Sequence, residues 1–106
     1  MRVWLDDERE MPVGEYDVHV KTAHEAIQLL MTGKVTLISL DHDLGTGYET
    51  GQTVADYIER AVYEGQIPLP KCRIHSQNPV GRDNMKRALA KAYEFTFKNK
   101  TLTKES

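Results

Sequence analysis

The sequence has little cysteine and no long apolar run, and each scarcity excludes a class of protein. A single cysteine, Cys72, rules out an internal disulfide framework and fits a reducing compartment, or an oxidising one where no bridge is needed. No apolar run approaches the ~20 residues that span a membrane. Acidic residues crowd positions 6–10, which argues against a signal peptide. We therefore expect a soluble cytoplasmic protein, bacterial or phage-encoded and acting in the host cytoplasm.

The charge is nearly balanced, with a formal net value of −2 over 106 residues. This balance argues against bulk nucleic-acid binding and against membrane affinity. The length predicts one domain with a single core. We assign residues 1–99 to that domain and residues 100–106 to a frayed polar tail. Cys72 falls inside a predicted strand, where a small core hydrophobe is the expected role.

Apolar patterning predicts the order strand, strand, helix, strand, helix, strand, helix. The predicted strands are residues 2–6, 16–20, 35–40 and 72–74. Helix starts are indicated by residues able to cap them: Thr22, Thr50 or Thr53, and Asn78 followed by Pro79. Apolar residues at helical spacing predict buried stripes, including Met31 in the first helix and Phe95 in the last.

This order predicts an α/β protein with about four mostly parallel strands. Helices between the later strands indicate right-handed crossovers, with helices on both faces of the sheet. The first two strands are joined by only about nine residues, fewer than a helical crossover needs. Either an extended loop runs back along the sheet, or that pair is antiparallel.

The residues directly after the third predicted strand are Asp41, His42 and Asp43. Charged groups beside a core are costly unless they are paired or bind a cation. The cluster is therefore either an ordinary solvated turn or a catalytic or metal-binding strand end. Glycines then mark residues 44–51 as a mobile loop, which lacks the Gly-Lys-Ser/Thr of a phosphate-binding P-loop.

Polar clusters follow three of the predicted strands, at residues 6–8, 41–43 and 75–76. The carboxyl ends of parallel strands meet at one rim, where open α/β sheets place their ligands. Ordinary surface charge would be scattered instead. We therefore expect one site built from all three clusters.

Carboxylates from neighbouring strands are typical ligands of Mg²⁺ or Mn²⁺. We predict that Asp6, Asp7 and Asp41 hold such a cation. Zinc is disfavoured because the histidines lack the HExxH spacing and the only cysteine lies within a strand.

The two strand-end histidines, His42 and His75, are candidates for general acid and base in an in-line displacement at phosphorus. Asp43 would orient or tune one of them. Ser76 would orient the substrate or act as a nucleophile, and the first role is favoured because no adjacent base marks it.

The start of the last helix is a candidate phosphate site, built from Asn78, Gly81 and Arg82. Free amides at a helix N-terminus bind anions, and an arginine can add a bidentate contact. Simple helix capping also accounts for Asn78, and an exposed first-turn position also accounts for Arg82. Both interpretations stay open at this point.

Three motifs carry a family resemblance that covers nearly the whole chain: residues 5–9 (LDDER), 40–45 (LDHDLG) and 74–85 (IHSQNPVGRDNM). In outline the chain resembles a response-regulator receiver domain, and more specifically the cyclic-phosphate-processing receiver-like family. The resemblance implies a truncated flavodoxin-like three-layer sandwich. It also implies a phosphoesterase that acts on cyclic phosphates, with metal or histidine assistance.

The chain departs from ordinary receivers in ways that bear on function. Ordinary receivers have a fifth strand ending in a lysine that contacts the phosphoryl group, and they lack the two strand-end histidines. Our leading hypothesis is therefore a phosphoesterase that opens a cyclic phosphate on a nucleotide or RNA end, with such a phosphate-containing molecule as its partner. The alternatives are a non-catalytic nucleotide- or protein-binding module, and a signalling receiver that accepts phosphate on Asp41.

Overall fold

The computed structural model describes residues 1–44 and 49–105, with side chains described through residue 97. Its elements follow the predicted order: β1 Arg2–Leu5, β2 Val18–Val20, α1 Ala23–Met31, β3 Leu37–Leu40, α2 Gly51–Tyr63, β4 Lys71–Ile74 and α3 Pro79–Glu105. The central part of the predicted mobile loop, residues 45–48, lies outside the described residues. The side chains of the predicted tail, residues 100–106, also lie outside the described residues. The fraying of this tail therefore stays a prediction.

The four strands form one parallel sheet in the order β2-β1-β3-β4. The first connection is therefore an extended loop that runs back along the sheet, which settles the alternative left open by its length. The α/β prediction is confirmed, since four parallel strands with three helices form a flavodoxin-like receiver fold. Because all strands are parallel, their carboxyl ends share one rim.

The prediction placed helices on both faces of the sheet. In the structure, all three helices pack on one face. Val3 and Leu5 of β1 share the main core with buried residues of every helix. Trp4 points to the opposite face and packs with Tyr16 and Met11 of the β1–β2 connection. The crossovers from β2 to β3 and from β3 to β4 run in the same direction across the sheet. Right-handed connections then place their helices on the same side.

The helix starts follow the predicted capping chemistry. Thr22 caps α1 and accepts a hydrogen bond from the Glu25 amide. Thr50 and Thr53 were alternatives for α2, and both take part, in one reciprocal capping box. The predicted burial of Met31 is wrong, since this last residue of α1 is 65% exposed.

The longest helix is α3, whose buried side rests on Met85, Ala88, Leu89 and Ala92, as its spacing predicted. Phe95 is only half-buried and packs against an exposed tyrosine of α2. Within the described residues, no helix combines the length and the apolar character needed to cross a membrane.

Cys72 of β4 is expected to resist alkylation. Its thiol donates a hydrogen bond to the Pro70 carbonyl (3.4 Å), and burial raises its pKa to about 12. Because the thiolate is the nucleophile, iodoacetamide at pH 8 should modify the native protein at least ~100-fold more slowly than the urea-unfolded chain. Intact-mass time courses measure both rates. Equal rates would contradict the assignment of Cys72 as an inert structural residue.

Candidate functional site

The rim of the sheet brings together Asp6, Asp41 and His75, which directly follow the neighbouring strands β1, β3 and β4. One ligand atom from each lies within 4.8 Å of the others. We call these three residues the rim cluster. The sequence predicted Asp6 and Asp41 as metal ligands, but it assigned His75 to acid–base chemistry and added Asp7. Among the described residues, Asp7 is not part of the cluster.

Asp6 is held rigidly in the rim cluster and is 1% exposed. Its Oδ1 accepts the Glu8 and Arg9 amides at 2.8 and 2.9 Å, and its Oδ2 lies 3.0 Å from His75 Nε2. Burial alone would raise the pKa of Asp6, but these hydrogen bonds outweigh burial and lower it below its ordinary value. Asp6 is therefore a fixed carboxylate at neutral pH.

The surroundings of Asp41 disfavour its charged form. Burial and then the charge of Asp6 raise its pKa above the ordinary value, and His75 offsets only part of that effect. Two carboxylates this close favour either a shared proton or a cation between them. The raised pKa of Asp41 is therefore consistent with either a shared proton or a bound cation at the rim cluster.

The ring of His75 is fixed from three sides. Its Nδ1 lies 2.7 Å from the Ser39 hydroxyl, and its Nε2 lies beside Asp6. The ring stacks on Trp4 with centroids 3.8 Å apart and planes within 5°. Burial lowers the pKa of His75, although the neighbouring carboxylates act in the opposite direction. The ring is therefore firmly oriented, and because the Asp6 carboxylate only accepts, Nε2 carries a proton that a bound cation would displace.

The sequence analysis missed Ser39 and Trp4. They face each other across β1 and β3 in the strand register, on the sheet face opposite the helices. The available signal was a serine inside an apolar strand, because a buried hydroxyl needs a hydrogen-bonding partner. In the structure Ser39 is 1% exposed.

A second histidine site lies beside the cluster. His42 Nδ1 is 2.9 Å from Asp43 Oδ1, and this hydrogen bond lowers the pKa of Asp43 below its ordinary value. An ionised carboxylate only accepts, so Nδ1 carries the proton and Nε2 is the basic nitrogen. The His42 ring lies against Gly81, where a Cβ would come within 2.4 Å of Cγ. Gly81 therefore provides space for this ring.

The predicted phosphate donors at the start of α3 are engaged within the chain. Asn78 Oδ1 accepts the Gly81 amide at 3.0 Å, and Arg82 donates to the Ser76 carbonyl at 3.2 Å. The buried Ser76 hydroxyl accepts the Asn78 amide at 3.1 Å. These contacts match the capping interpretation. The phosphate-binding and catalytic roles of these residues stay predictions, and would require the contacts to open.

A cavity of about 370 Å³ adjoins the rim cluster. Its lining residues are Asp6, Glu8, Arg9, Asp41, Asp43 and Gln77. Among the described lining residues, four carboxylates face a single guanidinium, so an anion entering without a cation would be repelled. Arg9 also donates to the His75 carbonyl at 3.5 Å. Arg9 and Gln77 fall within the quoted motifs but were given no role from sequence.

His19 of the edge strand β2 is also tied to the site. It is half-buried, and its Nε2 donates to the Asp6 carbonyl at 2.7 Å. The contact links the edge strand β2 to the turn that carries Asp6. His19 therefore supports the site from outside the cavity.

Comparison with known proteins identifies one family whose model matches this chain. The family model described as the cyclic-phosphate processing receiver domain matches residues 1–91. Neither a curated protein nor a solved structure matches the chain. The matched range contains the three strand-end clusters and every residue that lines the cavity.

Proposed function

The chain belongs to the cyclic-phosphate processing receiver domain family, and we propose that it opens a cyclic phosphodiester on a nucleotide or RNA end. The observation that carries this proposal is the rim cluster beside the acidic cavity. A site of this kind needs a cation to accept phosphate, and it has the ligands for one. Family membership supplies the cyclic phosphate as the substrate class.

The donor set of the rim cluster fits Mn²⁺ or Mg²⁺. Carboxylates are suitable ligands for both ions, and the imidazole of His75 favours Mn²⁺. If a cation replaced the Asp6 hydrogen bond at His75 Nε2, Nδ1 would donate to the Ser39 hydroxyl, which is the outer-shell contact that orients a metal-binding histidine. A bound cation would offset the carboxylate charges and polarise a phosphoryl oxygen.

The charge of the cavity favours a cyclic diester over a monoester. A cyclic phosphodiester carries one negative charge, whereas the monoester formed by opening it carries ~1.5–2 at neutral pH. The four carboxylates outnumber the positive charges of Arg9 and one divalent cation, so the cavity stays net negative and repels the product more strongly than the substrate. This difference would assist product release.

The remaining roles follow from the residues around the cavity. His42, oriented by Asp43, presents Nε2 as the proton carrier for the attacking or leaving oxygen. Arg9 and Gln77 are the donors that line the cavity and would contact phosphate oxygens.

The test is turnover by the purified full chain. The panel comprises 2′,3′- and 3′,5′-cyclic nucleotides and an RNA ending in a 2′,3′-cyclic phosphate, each with Mn²⁺, Mg²⁺ or EDTA. We expect a phosphomonoester product, followed by ³¹P NMR, that depends on the added cation.

Three outcomes would overturn the proposal. The first is no turnover of any substrate with either cation. The second is tight calorimetric binding without turnover, which would identify a binding module. The third is a phosphoryl adduct on Asp41 after incubation with acetyl phosphate, without diester opening, which would identify a receiver.

Ser39→Ala is expected to weaken Mn²⁺ binding about tenfold, because it removes one of the three contacts that orient the His75 ring. Calorimetric titration with Mn²⁺ measures the change. Thr32→Ala removes a hydroxyl at the exposed end of α1 and serves as the matched control. Equal Mn²⁺ affinity in Ser39→Ala and wild type would show that the contact does not orient a ligand.

A further inference from the structure

The outer edge of β4 has no strand partner among the described residues, although a side chain bonds one of its amides. β4 is the last strand of the sheet order, so no described strand pairs with its outer side. The amides of Lys71 and His75 donate to carbonyls on the β3 side. Strand alternation therefore turns the backbone groups of Cys72 and Ile74 outward. Such an edge is a template for an added strand.

An apolar groove of about 320 Å³ runs between this edge and α3. Its lining residues are Cys72, Ile74, Lys86, Leu89, Ala90 and Tyr93. The Tyr93 hydroxyl accepts the Cys72 amide at 3.3 Å, so a side chain occupies the position that an added strand would take. Tyr93 is 44% exposed, and an added strand would require it to turn away from the edge. Alternate side chains of an added strand would then enter the groove.

The charges along β4 determine which kind of strand can pair with it. Lys71 and Arg73 are exposed and alternate with the two groove residues. In antiparallel pairing with a second copy of this chain, cations would face cations across the new strand pair. Like charges directly opposite each other are destabilising, whereas opposite charges stabilise. The edge therefore disfavours self-pairing and favours an acidic strand.

We propose that β4 docks an extended segment of another protein, in which apolar residues alternate with Asp or Glu. The apolar residues fill the groove, the acidic residues face Lys71 and Arg73, and the segment's backbone pairs with Cys72 and Ile74. This docking surface ends directly before His75, but it is independent of the reaction proposed for the rim.

The test uses three fluorescein-labelled octapeptides and the full chain. One alternates valine and glutamate, one alternates valine and lysine, and one is the glutamate peptide with N-methylated amides on its pairing edge. Fluorescence anisotropy measures affinity, and ¹⁵N amide shifts locate binding. We expect the glutamate peptide to bind and to shift the Cys72 and Ile74 amides, and N-methylation to abolish binding.

A charge-swapped variant supplies the specificity control. The double variant Lys71→Glu/Arg73→Glu should change the glutamate-over-lysine preference by at least about tenfold, because two cross-strand pairs reverse sign. The variant Lys21→Glu/Arg60→Glu makes the same net charge change at exposed positions outside β4 and its groove and should keep the original preference.

Four outcomes would overturn the proposal: no binding of the glutamate peptide, equal binding of its N-methylated form, an equal switch in the control variant, or sedimentation showing that the chain dimerises through β4. The first three would leave the rim chemistry unaffected, since turnover is measured separately.

Discussion

His42→Ala is expected to reduce turnover of a cyclic phosphodiester about 10²–10⁴-fold while Mn²⁺ affinity stays at the wild-type value. His42 is the histidine whose Nε2 is not held by the rim cluster, and Asp43 fixes its tautomer. The loss should appear in kcat, because the ring moves a proton and does not bind the cation. Steady-state kinetics and a Mn²⁺ titration on the same preparation measure both quantities.

His24→Ala is the matched control, since it removes an exposed imidazole from the first turn of α1. It should leave kcat unchanged. Asp43→Asn keeps the shape of the acceptor but removes its charge, so it should lower kcat less than His42→Ala does. Wild-type kcat in His42→Ala would remove His42 from the chemistry and leave His75 as the remaining histidine of the site.

Gly51→Ala is expected to destabilise the protein by about 3 kcal/mol, at the upper end of the range for overpacking. Gly51 is buried at the start of α2, and a Cβ there would lie 2.0 Å from the Asp41 carbonyl oxygen. Backbone cannot move aside as a flexible side chain can. The Gly51 amide also donates to the His42 carbonyl at 2.9 Å, so the strain would act on the turn that carries the site. Urea unfolding measures the change.

Gly81→Ala provides the contrasting case. Its added Cβ would meet the His42 ring, which can rotate away, so we expect a smaller loss of stability than for Gly51→Ala. The main effect of Gly81→Ala should instead be a lower kcat, because the added Cβ displaces the His42 ring. A Gly51→Ala variant within ~0.5 kcal/mol of wild type, the range of neutral surface changes, would contradict the close packing of α2 against the turn at Asp41.

The face of the sheet on which the helices pack could not be predicted from the sequence. Hydrophobic periodicity located every strand and helix, because each element must bury one side. It could not supply the strand order, and the order decides on which face a right-handed crossover places its helix. The prediction of helices on both faces therefore failed. Trp4, which would have met a helix there, packs instead against Tyr16 of the β1–β2 connection.

The residues of the candidate site were likewise predicted from the sequence, but their contacts were not. Asp6, Asp41 and His75 were each predicted at a strand end, and the parallel sheet brings them together. The sequence assigned His75 to proton transfer, a role that stays a prediction, and the structure adds that both of its nitrogens are held. That result depends on Ser39, which reaches the ring only because β3 and β4 pair in a particular register.

By itself, the sequence determined the α/β class, the helix caps and the three polar strand ends, because these depend on residues close together in the chain. The family match over residues 1–91 confirms the resemblance carried by the strand-end motifs. Only the tertiary structure decided which groups face one another: His75 with Asp6 and Ser39, and Gly81 with the His42 ring. These contacts join distant parts of the chain, and their geometry depends on strand register and helix placement, which local patterning does not encode.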